Sequence, residues 1–202
     1  SFCLISWAFS FKLLKGIFMA PSICLFLNSD TLLTSKMSIL SAKMIPSLGG
    51  NTEFLSMRAS YNALPQELKL KIDDKICWHD YSHGRSKIDP NLVTPEEKKV
   101  LPPVKQKLVL SDNKHGKSLY LGAHCRNVDG MSENDSNALL AEINSYIDSE
   151  KFIYSHVWEP FDLIMWDNRA VLHRATPIKG KIEKRLMVRT TVAGQTSTIN
   201  EY

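Results

Sequence analysis

The segment that most constrains this chain is residues 166–191, WDNRAVLHRATPIKGKIEKRLMVRTT, in which a histidine precedes a run of alternating character. Arg185, Met187 and Arg189 alternate with Leu, Val and Thr, which predicts a β-strand with one cationic and one apolar face. Burying arginine side chains is costly unless an anion meets them. Together with His173, this pattern indicates a site that holds a metal and a carboxylate side by side.

The composition is that of a soluble globular protein. The 202 residues are 44% hydrophobic and 23% charged, which allows one domain with a substantial core and argues against disorder. The net charge of +4 is not gathered into a basic stripe, so no nucleic-acid partner is expected. The four cysteines form no Cys-x-x-Cys pair, which favours reduced thiols and a cytoplasmic location over a zinc site or disulfides.

The first 27 residues are strongly apolar but are interrupted by Lys12, Lys15, Gly16 and Pro21. A membrane helix needs about 20 consecutive apolar residues, and a signal peptide places its positive charges before its apolar run, so neither fits well. Three interpretations stay open: buried strands or a helix, a weak membrane or targeting segment, and residues unrelated to the fold, such as a misread gene boundary. Because the chain begins with serine, we expect a fragment or a processed form.

Short apolar runs separated by turns dominate the remainder. They predict strands at residues 35–45, 52–57, 105–110, 117–121, 152–158 and 161–166. Helical periodicity predicts two helical pieces within 58–76 and a longer helix over 132–150, which Ser132 caps together with Asp135. The fold class is therefore mainly β with flanking helices, a sandwich or a jelly roll.

The polar segment 77–103 is rich in proline and is interpreted as a lid or binding loop. It contains His79 and His83, which are spaced as metal ligands on a helix would be, but the loop chemistry favours solvated or substrate-contacting histidines. His124 follows a predicted strand and is expected to be a hydrogen-bonded structural residue.

Four blocks of the chain together resemble the TauD/TfdA family, the taurine and 2,4-dichlorophenoxyacetate type of iron(II)- and 2-oxoglutarate-dependent dioxygenases. The blocks are GGNTEFLSMRASYNALPQELK, GKSLYLGAH, FDLIMWDNRAVLHRAT and KRLMVRTT. The likeness extends from about Ser38 to Val192, with the blocks in the family's order. It implies a double-stranded β-helix, a jelly roll that is incomplete at its N-terminus, in a single domain over residues 28–202.

The resemblance also implies a site. His173 matches the distal metal histidine, and Asp30 can serve as the carboxylate ligand of a facial triad for Fe(II). Asn28 stands where the family has its other metal histidine. Thr52 and Arg185 match the residues that hold the cosubstrate 2-oxoglutarate, the arginine through a bidentate pair with a carboxylate.

Two further assignments follow from the same likeness. Arg189 matches a second arginine of the active site, which helps to hold an anionic substrate. Residues 166–169, Trp-Asp-Asn-Arg, match a motif that positions the histidine, and we assign them a supporting role.

The implied function is a dioxygenase that hydroxylates a small, anionic organic substrate and releases succinate and CO2. Its partners would be that substrate and O2, with a homo-oligomer left open. The alternative is an inactive relative that binds a ligand or a partner protein. The amide of Asn28 is a poor substitute for an imidazole ligand, and even the loss of a residue that only hydrogen-bonds to a metal ligand typically lowers metal affinity by roughly 10–100-fold. A second alternative is a membrane-associated protein anchored by residues 1–27.

Overall fold

The computed structural model describes residues 27–28, 31–32, 35–87, 89, 91–147, 150–179 and 183–201. The interpretations of residues 1–27 fall almost wholly outside this range. In the described part of the chain, no helix is long and apolar enough to cross a membrane.

Sheet dominates the described residues. The strands are β1 (Leu27–Asn28), β2 (Thr31–Leu32), β3 (Ser35–Met44), β4 (Thr52–Ser56), β5 (Ile76–His79), β6 (Val104–Lys107), β7 (Val109–Asp112), β8 (Gly116–Leu119), β9 (Cys125–Val128), β10 (Ile153–His156), β11 (Leu163–Asp167), β12 (Val171–Ala175) and β13 (Leu186–Ala193). The helices are α1 (Met57–Ala63), α2 (Gln66–Ile72), α3 (Tyr81–Ser86), α4 (Pro95–Val100), α5 (Glu133–Ile147) and α6 (Thr198–Glu201), with a 3-10 turn at Glu150–Phe152. The prediction of a mainly β fold with helices is confirmed at this level.

Two three-stranded antiparallel sheets, in the orders β10-β4-β12 and β11-β3-β13, form the centre of the fold. Their facing aromatic side chains meet: the rings of Phe54 on β4 and Trp166 on β11 pack edge to face, with centroids 5.2 Å apart. A third sheet, β6-β5-β9, and the hairpins β1-β2 and β7-β8 complete the strand pairing described.

Strand β4 has two different faces because successive side chains alternate. Leu55 belongs to the main apolar core, which it forms with Leu172 on β12 and with the buried faces of α1, α2 and α5. Thr52 and Phe54 lie on the opposite face, beside His173, which is paired directly with Phe54. The sheet therefore separates a helix-packed core from a second, more polar interior.

The long helix is the best-predicted element. Helix α5 buries Leu139, Leu140, Ile143 and Ile147, as its periodicity predicts. Ser132 caps it: the hydroxyl accepts a hydrogen bond from the backbone N–H of Asp135 at 3.1 Å and donates to its carboxylate at 2.7 Å.

The prediction that residues 77–103 form an irregular loop is wrong in part, because β5, α3 and α4 lie within that segment. Asp80 caps α3 by accepting a hydrogen bond from the backbone of His83. Thr94 and Glu97 form a capping box at the start of α4, with proline in its first turn. Proline in this segment predicts a loop, but Pro95 occupies the first turn of α4, where its missing N–H costs no hydrogen bond. The predicted strand 105–110 is also divided, with Leu108 separating β6 from β7.

Strand β13 follows the predicted alternation, but its apolar side is the one facing solvent. Leu186, Val188 and Val192 are about 40% exposed. The opposite side carries Arg189 and Thr191, and Thr191 pairs with Ser38 of β3, which pairs in turn with Trp166 of β11. Arg189 therefore lies on the side of the sheet that carries Trp166, although its side chain is exposed to solvent.

Candidate functional site

Arg185 and Thr52 meet at one end of the polar interior. The guanidinium donates from Nε to the carbonyl oxygen of Gly50 at 2.8 Å and from Nη2 to Thr52 Oγ1 at 3.1 Å. Thr52 is 2% exposed and is the first residue of β4. Its hydroxyl also accepts a hydrogen bond from Trp158 Nε1 at 2.9 Å.

The glycine pair before Thr52 makes this approach possible. Gly49 and Gly50 have φ angles of 79° and 68°, a left-handed backbone that favours glycine. A Cβ on Gly50 would lie 3.1 Å from Arg185 Cδ, and one on Gly49 would lie 2.4 Å from the carbonyl oxygen of Pro177. Hydrogen bonds from Gly50 N to Pro177 O and from Thr176 N to Asn51 O tie this loop to the segment that follows β12. A side chain on Gly50 would crowd Arg185, and one on Gly49 would crowd the backbone of the segment that follows β12.

Arg185 has no carboxylate partner among the described residues. Burial lowers the pKa of its guanidinium from the ordinary value, yet the group stays protonated because an arginine pKa starts above 12. A half-buried cation beside a hydroxyl, held in place by neutral acceptors, is suited to a carboxylate ligand.

His173 lies on β12, on the same face of the sheet as Thr52. Its ring packs against Trp166, with centroids 4.8 Å apart, and against Phe54 at 6.4 Å. Burial and the positive charge of Arg189 lower the pKa of His173 to about 4, so the imidazole is neutral at pH 7. Its Nδ1 is buried and has no hydrogen-bond partner within the part of the chain that the structure describes. A neutral imidazole with an unsatisfied nitrogen is what a metal ligand requires.

The Trp-Asp-Asn-Arg motif at 166–169 supports this histidine. Asn168 is 1% exposed; its side chain accepts a hydrogen bond from Trp166 Nε1 at 2.9 Å and donates to Ser35 Oγ and Ser38 Oγ at 2.7 and 2.9 Å. These bonds hold the indole that packs on His173. Asp167 and Arg169 form an ion pair at the turn between β11 and β12.

Arg189 lies on β13, opposite Leu40 of β3, and is exposed to solvent. Its charge reaches His173, where it contributes to the lowered pKa. The predicted substrate arginine is thus electrostatically coupled to the predicted metal histidine, while Arg185 contacts Thr52.

The other half of the predicted metal site is less well described. Asn28 ends the short strand β1, which pairs with β2, and its side chain is not among those described. Asp30 lies outside the described residues. Among the residues that are described, no group of three or more His, Cys, Asp or Glu could hold a metal ion.

The remaining histidines of the sequence analysis lie elsewhere. His79 is 3% exposed and stacks on Tyr120, and His124 stacks on Tyr81. His83 lines a polar cavity of about 520 Å3 with Asp80, Arg126 and other residues, and Thr52, His173 and Arg185 are absent from its walls. The lid role of residues 77–103 stays a prediction.

Sequence reasoning missed two residues beside Thr52, one at the end of β10 and one that follows this strand. Trp158 donates to the threonine hydroxyl, and His156 is paired with Thr52 across the strands. The alternation in residues 153–158 predicts a strand but does not indicate which strand it pairs with. The signal available was the aromatic and polar cluster His-Val-Trp beside a Glu-Pro turn.

Comparison with known proteins places the site in context. The model of the family described as "Taurine catabolism dioxygenase TauD, TfdA family" matches residues 30–191. The alpha-ketoglutarate-dependent 2,4-dichlorophenoxyacetate dioxygenase of Cupriavidus pinatubonensis is 35% identical over 159 residues, which are 78% of this chain and 55% of that protein. The (S)-phenoxypropionate/alpha-ketoglutarate-dioxygenase of Sphingobium herbicidovorans is 30% identical over 167 residues, 79% of this chain and 58% of that protein. The chain therefore spans little more than half the length of these relatives.

Solved structures show the same fold. The crystal structure of AAD-2 in complex with Mn(II) and N-oxalylglycine has a TM-score of 0.77 at 37% identity and covers 90% of this chain and 69% of that one. A taurine dioxygenase from Burkholderia xenovorans has a TM-score of 0.72 at 24% identity and covers 95% of this chain and 61% of that one, a likeness of fold alone.

Proposed function

Because this chain belongs to the TauD/TfdA dioxygenase family, we propose that it is an Fe(II)- and 2-oxoglutarate-dependent dioxygenase that hydroxylates a small anionic organic compound and releases succinate and CO2. The two central sheets are, in this proposal, the walls of a double-stranded β-helix (jelly roll) within a single domain over residues 28–202. The observation that carries the proposal is the position of Arg185, a half-buried guanidinium held against Thr52.

The cosubstrate fits this position chemically. The far carboxylate of 2-oxoglutarate would accept hydrogen bonds from the Arg185 guanidinium and from the Thr52 hydroxyl. The hydrogen bond that Arg185 Nε donates to Gly50 O fixes the plane of the guanidinium before the ligand arrives, so less side-chain entropy is lost on binding. A carboxylate here would also replace the missing anionic partner of a partly desolvated cation.

The metal fits His173, whose neutral ring leaves a buried nitrogen for coordination. We propose Asp30 as its carboxylate ligand, with Asn28 at the position of the family's second histidine. Bound Fe(II) would supply the activation of O2 that couples decarboxylation of the cosubstrate to oxidation of the substrate. The residues of the chain bind, orient and exclude water: Trp166 and Phe54 pack around His173 and limit its exposure.

The substrate is expected to be anionic. Arg189 lies on the side of the sheet that carries Trp166 and acts electrostatically on His173. A substrate carboxylate or sulfonate near Arg189 would be placed beside the metal ligand. The relatives named above act on carboxylates of the phenoxyacetate and phenoxypropionate type, so aryloxyalkanoates are the first compounds to test.

A second candidate function is a catalytically impaired relative that keeps the carboxylate site. Asn28 favours it, because an amide oxygen binds Fe(II) less well than an imidazole nitrogen. In that case 2-oxoglutarate binds while succinate is not formed. A cytoplasmic location and a homo-oligomer remain predictions under either function.

The test combines binding and turnover. Calorimetric titration of the chain with 2-oxoglutarate in excess Mn(II) measures cosubstrate affinity, and succinate release with Fe(II), O2 and an aryloxyalkanoate measures activity. Arg185→Ala is expected to weaken 2-oxoglutarate binding by roughly 30-fold or more and to lower turnover with it. Arg174→Ala is the matched control, because Arg174 is ion-paired with Glu53 at 2.5 Å on the opposite side of the same sheet. Absence of 2-oxoglutarate binding in the wild-type chain would overturn the proposal, and binding without succinate would favour the second candidate.

A further inference from the structure

Trp158 is a buried residue two positions after the end of β10, and its indole N–H points at the site. It is 6% exposed, and Nε1 lies 2.9 Å from Thr52 Oγ1. An indole nitrogen can only donate a hydrogen bond, so the direction of this bond is fixed.

The hydrogen bonds to Thr52 determine where its own proton goes. A threonine hydroxyl has two acceptor lone pairs and one O–H donor. Trp158 Nε1 and Arg185 Nη2 both donate to this oxygen, at 2.9 and 3.1 Å, and so occupy both lone pairs. The hydroxyl proton must therefore be directed away from both donors. Among the described residues, the Thr52 hydroxyl donates to no acceptor, so its proton is available to a ligand.

We propose that Trp158 is a positioning residue that orients the Thr52 hydroxyl as a donor toward the carboxylate that Arg185 binds. This inference rests on the proposed function, since it takes 2-oxoglutarate as the source of that carboxylate. Without Trp158, one lone pair of the buried oxygen has no partner, and the hydroxyl can rotate to a direction in which it does not serve the ligand.

The turn after β10 holds Trp158 in place. One carboxylate oxygen of Asp162 lies 2.9 Å from His156 Nε2 and accepts the backbone N–H of Glu159, also at 2.9 Å. The backbone N–H of Asp162 donates back to Glu159 O at 3.2 Å. The ring of His156 packs edge to face on Trp158, with centroids 4.7 Å apart. The ring of His156 therefore packs on the indole, and the hydrogen bonds of Asp162 hold the turn that carries it, before any ligand binds.

A double-mutant cycle tests the role of Trp158. Trp158→Phe keeps an aromatic ring and removes the N–H, and Thr52→Val removes the acceptor. Calorimetry with 2-oxoglutarate in excess Mn(II) is expected to give roughly three- to tenfold weaker binding for Trp158→Phe, the size of one oriented hydrogen bond. In the Thr52→Val background, the same substitution is expected to change affinity by less than about twofold. A purely structural role of Trp158 would weaken binding equally in both backgrounds.

Tyr61→Phe is the matched control. Tyr61 is buried on α1, and its hydroxyl donates to Asp73 Oδ1 at 2.7 Å, so the substitution keeps a ring and removes one hydrogen bond away from the site. Affinity for 2-oxoglutarate is expected to stay within about twofold of wild type in this variant.

A second measurement does not depend on the folding of Trp158→Phe. The indole 15N–1H resonance of Trp158 is expected to shift when Thr52 is changed to Val and again when wild type binds 2-oxoglutarate. Three outcomes would each overturn the inference and leave the proposed function standing, provided that wild type binds 2-oxoglutarate. They are an unchanged affinity in Trp158→Phe, an equal effect of that substitution in both backgrounds, and an indole signal that does not move in Thr52→Val. Failure of wild type to bind overturns both.

Discussion

Arg185 Nη2 and Thr52 Oγ1 are 3.1 Å apart although 133 residues separate them in the chain. The threonine opens β4 in one central sheet, and the arginine immediately precedes β13 in the other. This bond therefore joins the two sheets at the position proposed for the cosubstrate carboxylate. The same relationship distinguishes the two arginines of the motif, because Arg189, four residues later, acts on His173 instead.

Substitution of the two arginines is expected to separate cosubstrate binding from substrate binding. Arg185→Ala removes a charge-assisted pair of at least about 2 kcal/mol, so affinity for 2-oxoglutarate is expected to fall by roughly 30-fold or more. Arg189→Ala is expected to leave that affinity within about twofold and to raise KM for the anionic substrate. Calorimetry and steady-state kinetics measure the two quantities.

Arg185→Lys serves as the control for charge alone. Lysine keeps the cation but cannot reproduce the planar fork that contacts Gly50 and Thr52 together. We expect an affinity between those of wild type and the alanine variant. Equal losses of cosubstrate affinity in the Arg185 and Arg189 alanine variants would contradict the assignment of separate roles.

Asn28→His is expected to strengthen metal binding. The change restores an imidazole at the position where the sequence departs from the family pattern, and it adds a third ligand to His173 and Asp30. Affinity for Mn(II), measured by quenching of tryptophan fluorescence or by calorimetry, is expected to rise by roughly tenfold or more. Asn200→His, in the C-terminal helix α6, is the control. An unchanged Mn(II) affinity in Asn28→His would show that residue 28 is not at the metal position.

Asn168→Ala is expected to destabilise the fold strongly. The substitution leaves the indole N–H of Trp166 and the hydroxyls of Ser35 and Ser38 without their partner in a buried position. Each unsatisfied buried group costs about 1–3 kcal/mol, and relaxation recovers part of it, so a loss of about 2–4 kcal/mol in the free energy of unfolding is expected. Urea unfolding measures it. Asn137→Ala, at an exposed position of α5, is expected to change stability by less than about 0.5 kcal/mol.

His79 is expected to make the fold less stable as the pH falls below neutrality. Burial, with a smaller contribution from the neighbouring His124, lowers the pKa of His79 to about 3. In the unfolded chain the pKa of a histidine is about 6.5, so between these two values the unfolded state binds a proton that the folded state does not. The free energy of unfolding therefore decreases as the pH falls from about 6.5 toward 3, by up to roughly 1.4 kcal/mol per pH unit for this residue.

Replacing His79 removes this contribution. His79→Phe retains a ring to stack on Tyr120 and cannot be protonated. Its free energy of unfolding is expected to fall less steeply between pH 6 and pH 4 than that of wild type, as measured by urea unfolding at a series of pH values. A His79→Phe slope as steep as that of wild type would exclude His79 as its origin.

Local sequence determined the elements whose signals are local. The stripe of apolar residues and the cap at Ser132 predict α5 because both depend on residues three or four positions apart. Alternation likewise predicts β4 and β13, and it predicts that Arg189 and Val188 lie on opposite sides of β13. The capping box at Thr94 was equally local, and it was overlooked because proline-rich sequence was interpreted as a loop.

Tertiary structure alone decided which of these elements meet. The division of the predicted strand 105–110 into β6 and β7 depends on their pairing with β5 and β8. The bond of Trp158 to Thr52 crosses 106 residues and exists only in the observed register of β10 with β4. Strand pairing is set by packing across the sheets, and a shift of one residue turns every side chain to the other face. The sequence by itself therefore predicts an arginine-rich strand and a histidine as parts of a site, whereas only the folded chain determines that Trp158 and Arg185 donate to the same hydroxyl oxygen of Thr52.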